Sequence, residues 1–402
     1  MLRNSALYIL DSFRGLSREV WLLSLVTLIN RSGTVVILFL TLYLTEELGF
    51  SKGDAGFIAG SYGVGSLAGA YIGGWLTDRF GYFHIIVASF ILVGLLFFTL
   101  IHFTSFWPLS IMLGLTSLVG DSFRPASMAA ISAYSTEENR TRSLSLYRLA
   151  INMGFAVGAG GAGWLAGAYG YEWLFYIDGI TCIAAGIVFL LLLPNRLEAV
   201  DEATEQKPIL KSAYQDNWYL GYIFFLMLNT IAFVQLFSAF PVFCRQELGL
   251  LESDIGLLMT INGIMLVVLE MPIVHYLVER KQTMNSIIGG VVLIGLGYLC
   301  FNIFGFTYFS ALLYIGFITL GEIVNFPFAT SVALERSTPG NRGQYMGLYG
   351  ALWSFAAIIG PILGLNIAES YGFTELWYFL GVICALGTTG LLFLRGAQVS
   401  DL

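Results

Sequence analysis

The sequence is poor in charged residues, which make up only 11% of its 402 positions. A typical soluble domain carries about 25%. The only long polar stretch is Pro194–Asp216, so no segment is large enough for a soluble catalytic domain. No GxxxxGK[ST] phosphate loop, HExxH zinc motif or GxSxG nucleophile motif occurs either. We therefore expect no enzyme activity, no cofactor and no ATP hydrolysis by this chain.

Cysteine is also scarce, and positive charge does not predominate. The four cysteines (Cys182, Cys244, Cys300 and Cys384) fall within or beside apolar stretches and show no CxxC spacing. They are therefore expected to be small core residues, with no metal site and no disulfide. The net charge of −7 argues against a nucleic-acid partner.

Long apolar stretches dominate the remainder of the chain. Hydrophobic residues make up 57% of the sequence, and the mean hydropathy is +0.78. Stretches of about 20 apolar residues are long enough to cross a bilayer as helices. Twelve are predicted, at about 21–45, 54–77, 83–102, 107–134, 141–167, 172–193, 218–243, 253–278, 284–304, 307–334, 342–367 and 374–394. The predicted fold is an all-α polytopic membrane protein.

The second half of the sequence repeats the first. With an offset of 202, Asn139-Arg140 corresponds to Asn341-Arg342, and Leu146-Tyr147 corresponds to Leu348-Tyr349. Secondary transporters are often built from such repeats around a central site. We therefore predict two pseudo-symmetric six-helix bundles at residues 1–193 and 218–402, joined by a cytoplasmic linker at 194–217.

The distribution of Lys and Arg predicts the orientation in the membrane. With both termini in the cytoplasm, 14 basic residues lie on cytoplasmic segments, two on outer loops and three within spans, which accounts for all 19. This bias satisfies the positive-inside rule. We expect an integral plasma-membrane protein, in a bacterial cytoplasmic (inner) membrane, with both termini in the cytoplasm.

The turn between spans two and three carries a recognisable motif. Residues 74–81 read GWLTDRFG, which matches the loop pattern G-x-L-x-D-R-x-G of the major facilitator superfamily. Tyr82 and Phe83 replace the two basic residues that follow in that family. The resemblance implies a twelve-helix transporter with alternating access and a cytoplasmic gate at this turn. The gate residues are expected to be Gly74, Asp78, Arg79 and Gly81, with Arg140 and Arg142 on the next cytoplasmic turn as ion-pair partners of Asp78.

Span five carries a second, partial match. Asn152-Met153-Gly154 and the following glycines resemble the motif N-x-G-x-x-x-G-P-x-x-G-G of drug/proton antiporters, although Ala159 replaces the proline and Ala162 replaces a glycine. Small residues allow close helix packing whatever the function. The predicted packing positions are Gly154, Gly158, Gly163, Gly360 and Pro361.

Ionisable residues within spans are costly in a bilayer, so each is a functional hypothesis. Glu322 is the repeat counterpart of Asp121, because Gly120-Asp121 aligns with Gly321-Glu322. We predict proton coupling at Glu322, Asp121 and Glu270, in that order. Asp121 could instead form a static pair with Arg124, three residues further along the helix. Asp178, about one and a half turns from the outer end of span six, is expected to reach water.

Basic, amide and aromatic residues near these acids are candidates for a substrate cavity. They are Arg31, Arg124, Arg148, Asn30, Tyr147, Asn325, Phe326 and Tyr349. Small-molecule sites are mostly apolar with a few placed polar groups, which this set could supply. Structural roles, such as helix packing or a snorkelling Arg148, remain open for each of them.

Three functions are compatible with the sequence. The first is proton-coupled export of small amphipathic molecules. The second is proton-coupled import of a zwitterionic or anionic nutrient, since arginines attract carboxylates and phosphates. The stretch Thr27-Leu28-Ile29-Asn30-Arg31 resembles the peptide-transporter pattern E-x-x-E-R in its arginine, but both glutamates are missing. The third is a membrane sensor or lipid-handling protein that does not transport. The expected partners are a small molecule, protons and the lipid bilayer, and the protein is expected to be a monomer.

Overall fold

The computed structural model describes residues 15–136, 138–196, 212–280, 282–338 and 341–400. These residues form fifteen α-helices and contain no β-strand. The helices up to residue 192 are α1 (Arg18–Gly33), α2 (Val36–Leu42), α3 (Lys52–Phe80), α4 (Tyr82–Leu100), α5 (Phe106–Asp121), α6 (Phe123–Tyr134), α7 (Arg140–Tyr169) and α8 (Glu172–Leu192). The later helices are α9 (Asn217–Val234), α10 (Ala239–Gln246), α11 (Glu252–Glu279), α12 (Thr283–Phe304), α13 (Tyr308–Arg336), α14 (Arg342–Ser370) and α15 (Phe373–Ser400).

These helices account for the twelve predicted spans. Within the described ranges, ten helical segments are long and apolar enough to cross a membrane. The other two spans are α3, which has 29 residues, and the pair α5 and α6. In α3, glycines replace apolar side chains, because a Cβ at Gly65 or Gly69 would collide with backbone atoms of α5. The prediction of an all-α polytopic membrane protein with twelve transmembrane helices is confirmed.

Three of the spans are each built from two helices. α1 ends at Gly33 and α2 begins at Val36, and a π-helical turn at Tyr43–Glu47 extends α2. The corresponding span of the second repeat is interrupted between Val234 and Ala239. The two interruptions occupy equivalent positions in the two repeats. The third interruption, at Ser122, follows Asp121 directly.

Contacts divide the chain into two compact units. The first comprises Met1–Ile37 and Gly65–Val200, and the second comprises Leu38–Val64 and Asp201–Leu402. The boundary therefore crosses the first span between Ile37 and Leu38, and it crosses α3 between Val64 and Gly65. The six-helix bundles at 1–193 and 218–402 stay a prediction. Residues 197–211 of the predicted linker lie outside the described residues.

The first unit has an apolar core in which α1, α4, α6, α7 and α8 meet. Leu23 of α1, Ile86 of α4, Ala126 of α6 and Phe189 of α8 are all fully buried there. Tyr134 donates a hydrogen bond to the carbonyl of Pro194 (2.8 Å) and packs edge-on against Tyr82. These contacts hold the end of α8 against α6.

The second unit includes the Leu38–Val64 segment, which packs on α14. A Cβ at Gly56 would lie 2.6 Å from the carbonyl oxygen of Pro361, so only glycine allows this approach. The backbone N–H of Gly53 donates to the Glu369 carboxylate (2.5 Å). The ammonium group of Lys52 lies 4.8 Å from the centre of the Phe373 ring. Backbone packing and polar contacts together hold this segment in the second unit.

A buried carboxylate organises the start of α9 in the second unit. Asp216 caps this helix by accepting a hydrogen bond from the N–H of Tyr219 (3.2 Å). The guanidinium of Arg336 contacts both oxygens of Asp216 (2.5 and 2.9 Å), and the Tyr345 hydroxyl donates to the carboxylate (2.8 Å). Burial alone would raise the pKa of Asp216, but hydrogen bonds from Arg336, Tyr345 and Tyr219 lower it to about 2. Trp218 covers the outer face of this ion pair, with its ring 4.5 Å from the Arg336 guanidinium carbon.

The cysteines lie inside the protein. Cys182 in α8, Cys244 in α10, Cys300 in α12 and Cys384 in α15 are all buried and free. No disulfide joins any two of them. The prediction that they are small core residues agrees with this placement.

Candidate functional site

Asp121 and Arg124 form an ion pair at the junction of α5 and α6. The Arg124 Nε lies 2.8 Å from one carboxylate oxygen of Asp121. Asp121 is 5% exposed, whereas the Arg124 side chain is 55% exposed. The second carboxylate oxygen of Asp121 is buried and has no hydrogen-bond partner among the described residues. The pair leaves half of the carboxylate free to accept a further donor.

The last turn of α1 crosses α7 at two glycines of the span-five motif. A Cβ at Gly154 would lie 2.6 Å from the Cβ of Arg31, and a Cβ at Gly158 would lie 2.7 Å from the carbonyl of Ser32. Gly163 is also buried in α7. This crossing fixes the position of Arg31 in the first unit. Its Nε is buried without a hydrogen-bond partner in the described chain.

The other predicted cavity residues of the first unit differ in exposure. Asn30 is buried, and its side-chain amide donates to the Cys182 sulfur (3.3 Å). Tyr147 is buried as well. Arg148 is exposed and has an interaction partner. Asn30 is therefore tied to α8, while Arg148 is the residue of this set that reaches the surface.

Aromatic rings from three helices meet in the second unit. Phe233 of α9 lies 4.8 Å from Phe326 of α13, ring centre to ring centre, and Phe326 lies 4.7 Å from Trp353 of α14. Phe326 and Trp353 are half-buried, and Phe233 is buried. Glu322 is half-buried one turn before Phe326 on the same helix. This arrangement, here called the aromatic cluster (Phe233, Phe326 and Trp353), places apolar surface beside an acid.

The remaining predicted residues of the second unit lie on α11, α13 and α14. The Thr330 hydroxyl donates to the Tyr349 hydroxyl (3.1 Å). The buried Asn325 donates to the carbonyl of Ile287 (3.2 Å), and its own oxygen has no partner in the described chain. Glu270 lies half-buried on α11. Both Glu270 and Glu322 have an interaction partner. Gly360 packs against Val234: a Cβ built at Gly360 would lie 3.3 Å from the Val234 side chain.

The predicted cytoplasmic gate residues lie on the surface. Asp78, Arg79, Arg140 and Arg142 are exposed, as is Gly81, and Gly74 is half-exposed. The Arg79 guanidinium lies over the rings of Trp75 (5.5 Å) and Phe80 (5.6 Å). In the described part of the chain Asp78 forms no ion pair. The pairing of Asp78 with Arg140 or Arg142 therefore stays a prediction for the state in which the cytoplasmic side is closed.

The expectation for Asp178 is wrong. Asp178 was expected to reach water, but it is completely buried in α8. Its oxygens accept hydrogen bonds from the backbone N–H groups of Val35 (2.9 Å) and Val36 (3.2 Å), where the first span is interrupted. The interruption supplies the donors that make burial of this carboxylate tolerable. The polar run Asn30-Arg31-Ser32-Gly33-Thr34 within an otherwise apolar span is the signal that could have indicated the interruption.

The described residues contain no group of three or more His, Cys, Asp or Glu side chains that could hold a metal ion. Asn229 of α9 is fully buried, and neither atom of its side-chain amide has a hydrogen-bond partner in the described chain.

Comparison with known proteins agrees with this architecture. The family model described as Major Facilitator Superfamily matches residues 20–337 and 320–400. The chain is similar to the uncharacterized MFS-type transporter YqjV of Bacillus subtilis, with 27% identity over 94% of this chain and 93% of that protein. It is also similar to the multidrug resistance protein MdtH of Aeromonas salmonicida, with 24% identity over 93% of this chain and 94% of that protein.

Solved structures share the fold. A peptide transporter, POT, in complex with sulfate aligns with a TM-score of 0.80 at 14% identity, covering 96% of each chain. At this identity the likeness shows the fold alone. The relatives are transporters and not enzymes, so the protein is an integral membrane transporter without enzyme activity. Since the family model covers nearly the whole of this twelve-helix chain, the chain belongs to the Major Facilitator Superfamily.

Proposed function

We propose that this protein is a secondary transporter that exports small amphipathic molecules in exchange for protons. The observation that carries the proposal is the aromatic cluster beside Glu322 in the second unit. Aromatic faces attract cations and apolar bodies, and a nearby carboxylate attracts positive charge. A lipophilic cation would meet both features at once. The relatives named as multidrug resistance proteins support the same substrate class.

Proton coupling is assigned to carboxylates within the spans. Intramembrane acids form proton relays in pumps and transporters. Glu322 is the first candidate because it adjoins the aromatic cluster. Asp121 is the second, since one of its oxygens is buried and unbonded in the described chain, and Glu270 is the third. Binding of substrate and proton to overlapping acids would make the two compete, which is the requirement for exchange.

Alternating access is proposed to proceed by movement of the two repeats. Asp78 would pair with Arg140 or Arg142 when the cytoplasmic side closes. Gly154, Gly158, Gly163, Gly360 and Pro361 would keep the helices close in both states. We place the protein in a bacterial inner membrane as a monomer, with both termini in the cytoplasm and the bilayer as its surroundings.

Import of an anionic or zwitterionic nutrient is a second candidate. It is favoured by Arg31, whose Nε is buried and unbonded in the described chain. Arginine recognises carboxylates through paired hydrogen bonds. Arg124 and Arg148 would add positive charge, and Asn30 and Tyr147 would add polar contacts. A compound bearing a carboxylate would then bind in the first unit.

Proteoliposomes that contain a pH-sensitive dye test these candidates. The substrates are tetraphenylphosphonium, a dipeptide and a small organic anion, each added to wild type, Glu322→Gln, Asp121→Asn and Phe326→Ala. Glu279→Gln is the matched control, since Glu279 is 66% exposed at the end of α11. Proton movement with the cation, lost in Glu322→Gln and retained in Glu279→Gln, is expected for the exporter.

The other outcomes decide between the candidates. Proton movement with the anion or the dipeptide, together with its loss in Arg31→Gln, would establish the importer. No proton movement with any substrate would refute proton coupling for these classes of compound. Absence of substrate flux as well would favour the membrane sensor or lipid-handling protein.

A further inference from the structure

The interruption of the first span is held from the side by one buried carboxylate. α1 ends at Gly33, and the next helix begins at Val36. The N–H groups of Val35 and Val36 donate to different oxygens of Asp178, at 2.9 and 3.2 Å. Asp178 is 0% exposed and forms no ion pair within the described chain. An unpaired buried carboxylate costs stability, so a role that needs the charge is the default hypothesis.

No charged side chain among the described residues bonds Asp178, which accepts hydrogen bonds from two backbone N–H groups. The helices packed on α8 are α1, α4 and α7. Their titratable and charged groups, with those of α8 itself, are Arg18, Glu19 and Arg31 on α1, Tyr82 and His84 on α4, Arg140, Arg142, Tyr147, Arg148 and Tyr169 on α7, and Glu172, Tyr176 and Cys182 on α8. The Cys182 thiol interacts electrostatically with both Asp178 and Arg31. Val35 and Val36 are the partners that bond the carboxylate directly.

The interruption lies where the chain passes from one unit to the other. The unit boundary crosses the first span between Ile37 and Leu38, directly after the two residues that Asp178 holds. A Cβ at Gly33 would overlap the Thr181 side chain of α8, so the two helices approach closely here. Asp178 therefore fixes the position of the last residues of this span that belong to the first unit.

The second repeat stabilises the equivalent interruption without a charge. There the Gln235 side chain donates to the carbonyl of Gly360 (2.8 Å) and accepts from the Ser238 hydroxyl (3.0 Å). Both groups are neutral at every physiological pH. Of these two equivalent interruptions, only the one at Val35 and Val36 is bonded by an acid among the described residues, so only that one can respond to protonation of its bonding side chain.

We propose that Asp178 is a positioning residue whose ionised carboxylate fixes the bend of the first span and whose neutralisation releases it. An ionised carboxylate accepts both N–H groups, whereas a protonated one presents a hydroxyl hydrogen and loses one of the two contacts. With the bend released, the Leu38–Val64 segment separates more readily from α14. This inference rests on the proposed transport cycle for its role. Asp178 contacts neither substrate nor Glu322 in this scheme.

Distances between spin labels test the proposal without substrate or gradient. Labels at Asp54 and Glu375, both exposed in the second unit, report separation of the Leu38–Val64 segment from the α14–α15 end. Every protein carries Glu369→Gln, because Glu369 also bonds this segment, at Gly53. Wild type, Asp178→Asn and Thr181→Val are compared in nanodiscs at pH 8 and pH 5. Thr181→Val is the matched control, since its hydroxyl bonds only within α8.

The expected result distinguishes an effect of the Asp178 carboxylate from an effect of helix packing. An amide mimics the protonated acid, so Asp178→Asn should raise the ratio of long to short distances about tenfold at both pH values. Wild type and Thr181→Val should show the short distance at pH 8 and shift at pH 5. Distributions in Asp178→Asn that match wild type at both pH values would overturn the proposal.

A second variant, Gly33→Ala, tests the proposal if Asp178→Asn does not fold. Gly33→Ala forces α1 away from Thr181 and so separates Val35 and Val36 from an unchanged carboxylate. It should also favour the long distance at pH 8, and an unchanged distribution would overturn the proposal. The proteoliposome assay measures proton coupling independently. If wild type moves no protons with any substrate in that assay while Asp178→Asn clearly changes the distances, the proposed function alone would be refuted.

Discussion

Replacing Arg336 by methionine should destabilise the second unit by a calculable amount. Arg336 bonds both oxygens of Asp216, which is 2% exposed and also receives hydrogen bonds from Tyr345 and Tyr219. The pKa of Asp216 falls from 3.8 to about 2. Each pKa unit corresponds to about 1.4 kcal/mol, so the native surroundings, with burial opposing and these partners prevailing, favour the ionised carboxylate by about 2.5 kcal/mol.

The loss in Arg336→Met should approach or exceed this value, because a buried carboxylate without its cation is strongly disfavoured. For a unit of about 230 residues, about 2.5 kcal/mol corresponds to a fall in apparent Tm of about 5–10 °C. Differential scanning fluorimetry in detergent at pH 7 measures it. Arg342→Met is the control, because Arg342 is exposed and forms no ion pair among the residues that the structure describes.

The pH dependence gives a second check. The folded pKa of Asp216 lies below the unfolded value of 3.8, so the stabilisation is complete above pH 3.8. It declines as the pH falls from 3.8 towards 2, and the Tm difference between wild type and Arg336→Met should narrow over that range. A Tm loss equal to that of Arg342→Met, or a difference that does not narrow at low pH, would refute the reasoning.

Three further predictions concern packing and substrate. Gly154→Leu forces α1 and α7 apart and should cost about 1–3 kcal/mol in thermal unfolding, whereas Gly161→Leu on the same helix meets open space and should cost little. Gly56→Val should lengthen the spin-label distance between the Leu38–Val64 segment and α14, whereas Gly316→Val on α13 of the same unit, with no neighbour within 4 Å of its built Cβ, should not. Phe326→Ala should weaken tetraphenylphosphonium binding about tenfold in equilibrium dialysis, and unchanged binding would contradict a role for the aromatic cluster.

The membrane architecture was predictable because composition constrains it strongly. A helix that crosses a bilayer must be long and apolar, and ten of the twelve spans satisfy both conditions within the described residues. The repeat and the GWLTDRFG motif supplied the family, which the comparison confirms. The assignment of Leu38–Val64 to the second unit was not predictable, because it depends on tertiary contacts such as those at Gly53 and Gly56 rather than on chain order.

The candidate site was predictable only in part. The spacing of Asp121 and Arg124 predicted their shared helix face, and the structure shows their ion pair. The position of Asp178 along its helix suggested access to water, but the interruption in a different span supplied buried donors instead. No residue near Asp178 in the sequence indicates that its hydrogen-bond donors come from Val35 and Val36. Pairing of Asp78 with Arg140 or Arg142 depends on the conformational state, which a sequence does not specify.

The burial of all four native thiols has a practical consequence for experiments on this protein. A water-soluble maleimide should find no accessible sulfur on the folded wild-type chain, since Cys182, Cys244, Cys300 and Cys384 are all buried. A single cysteine introduced at an exposed position would then carry nearly all of the signal. Native cysteines can therefore remain in place, which preserves the contact between Asn30 and Cys182 that a cysteine-free protein would lose.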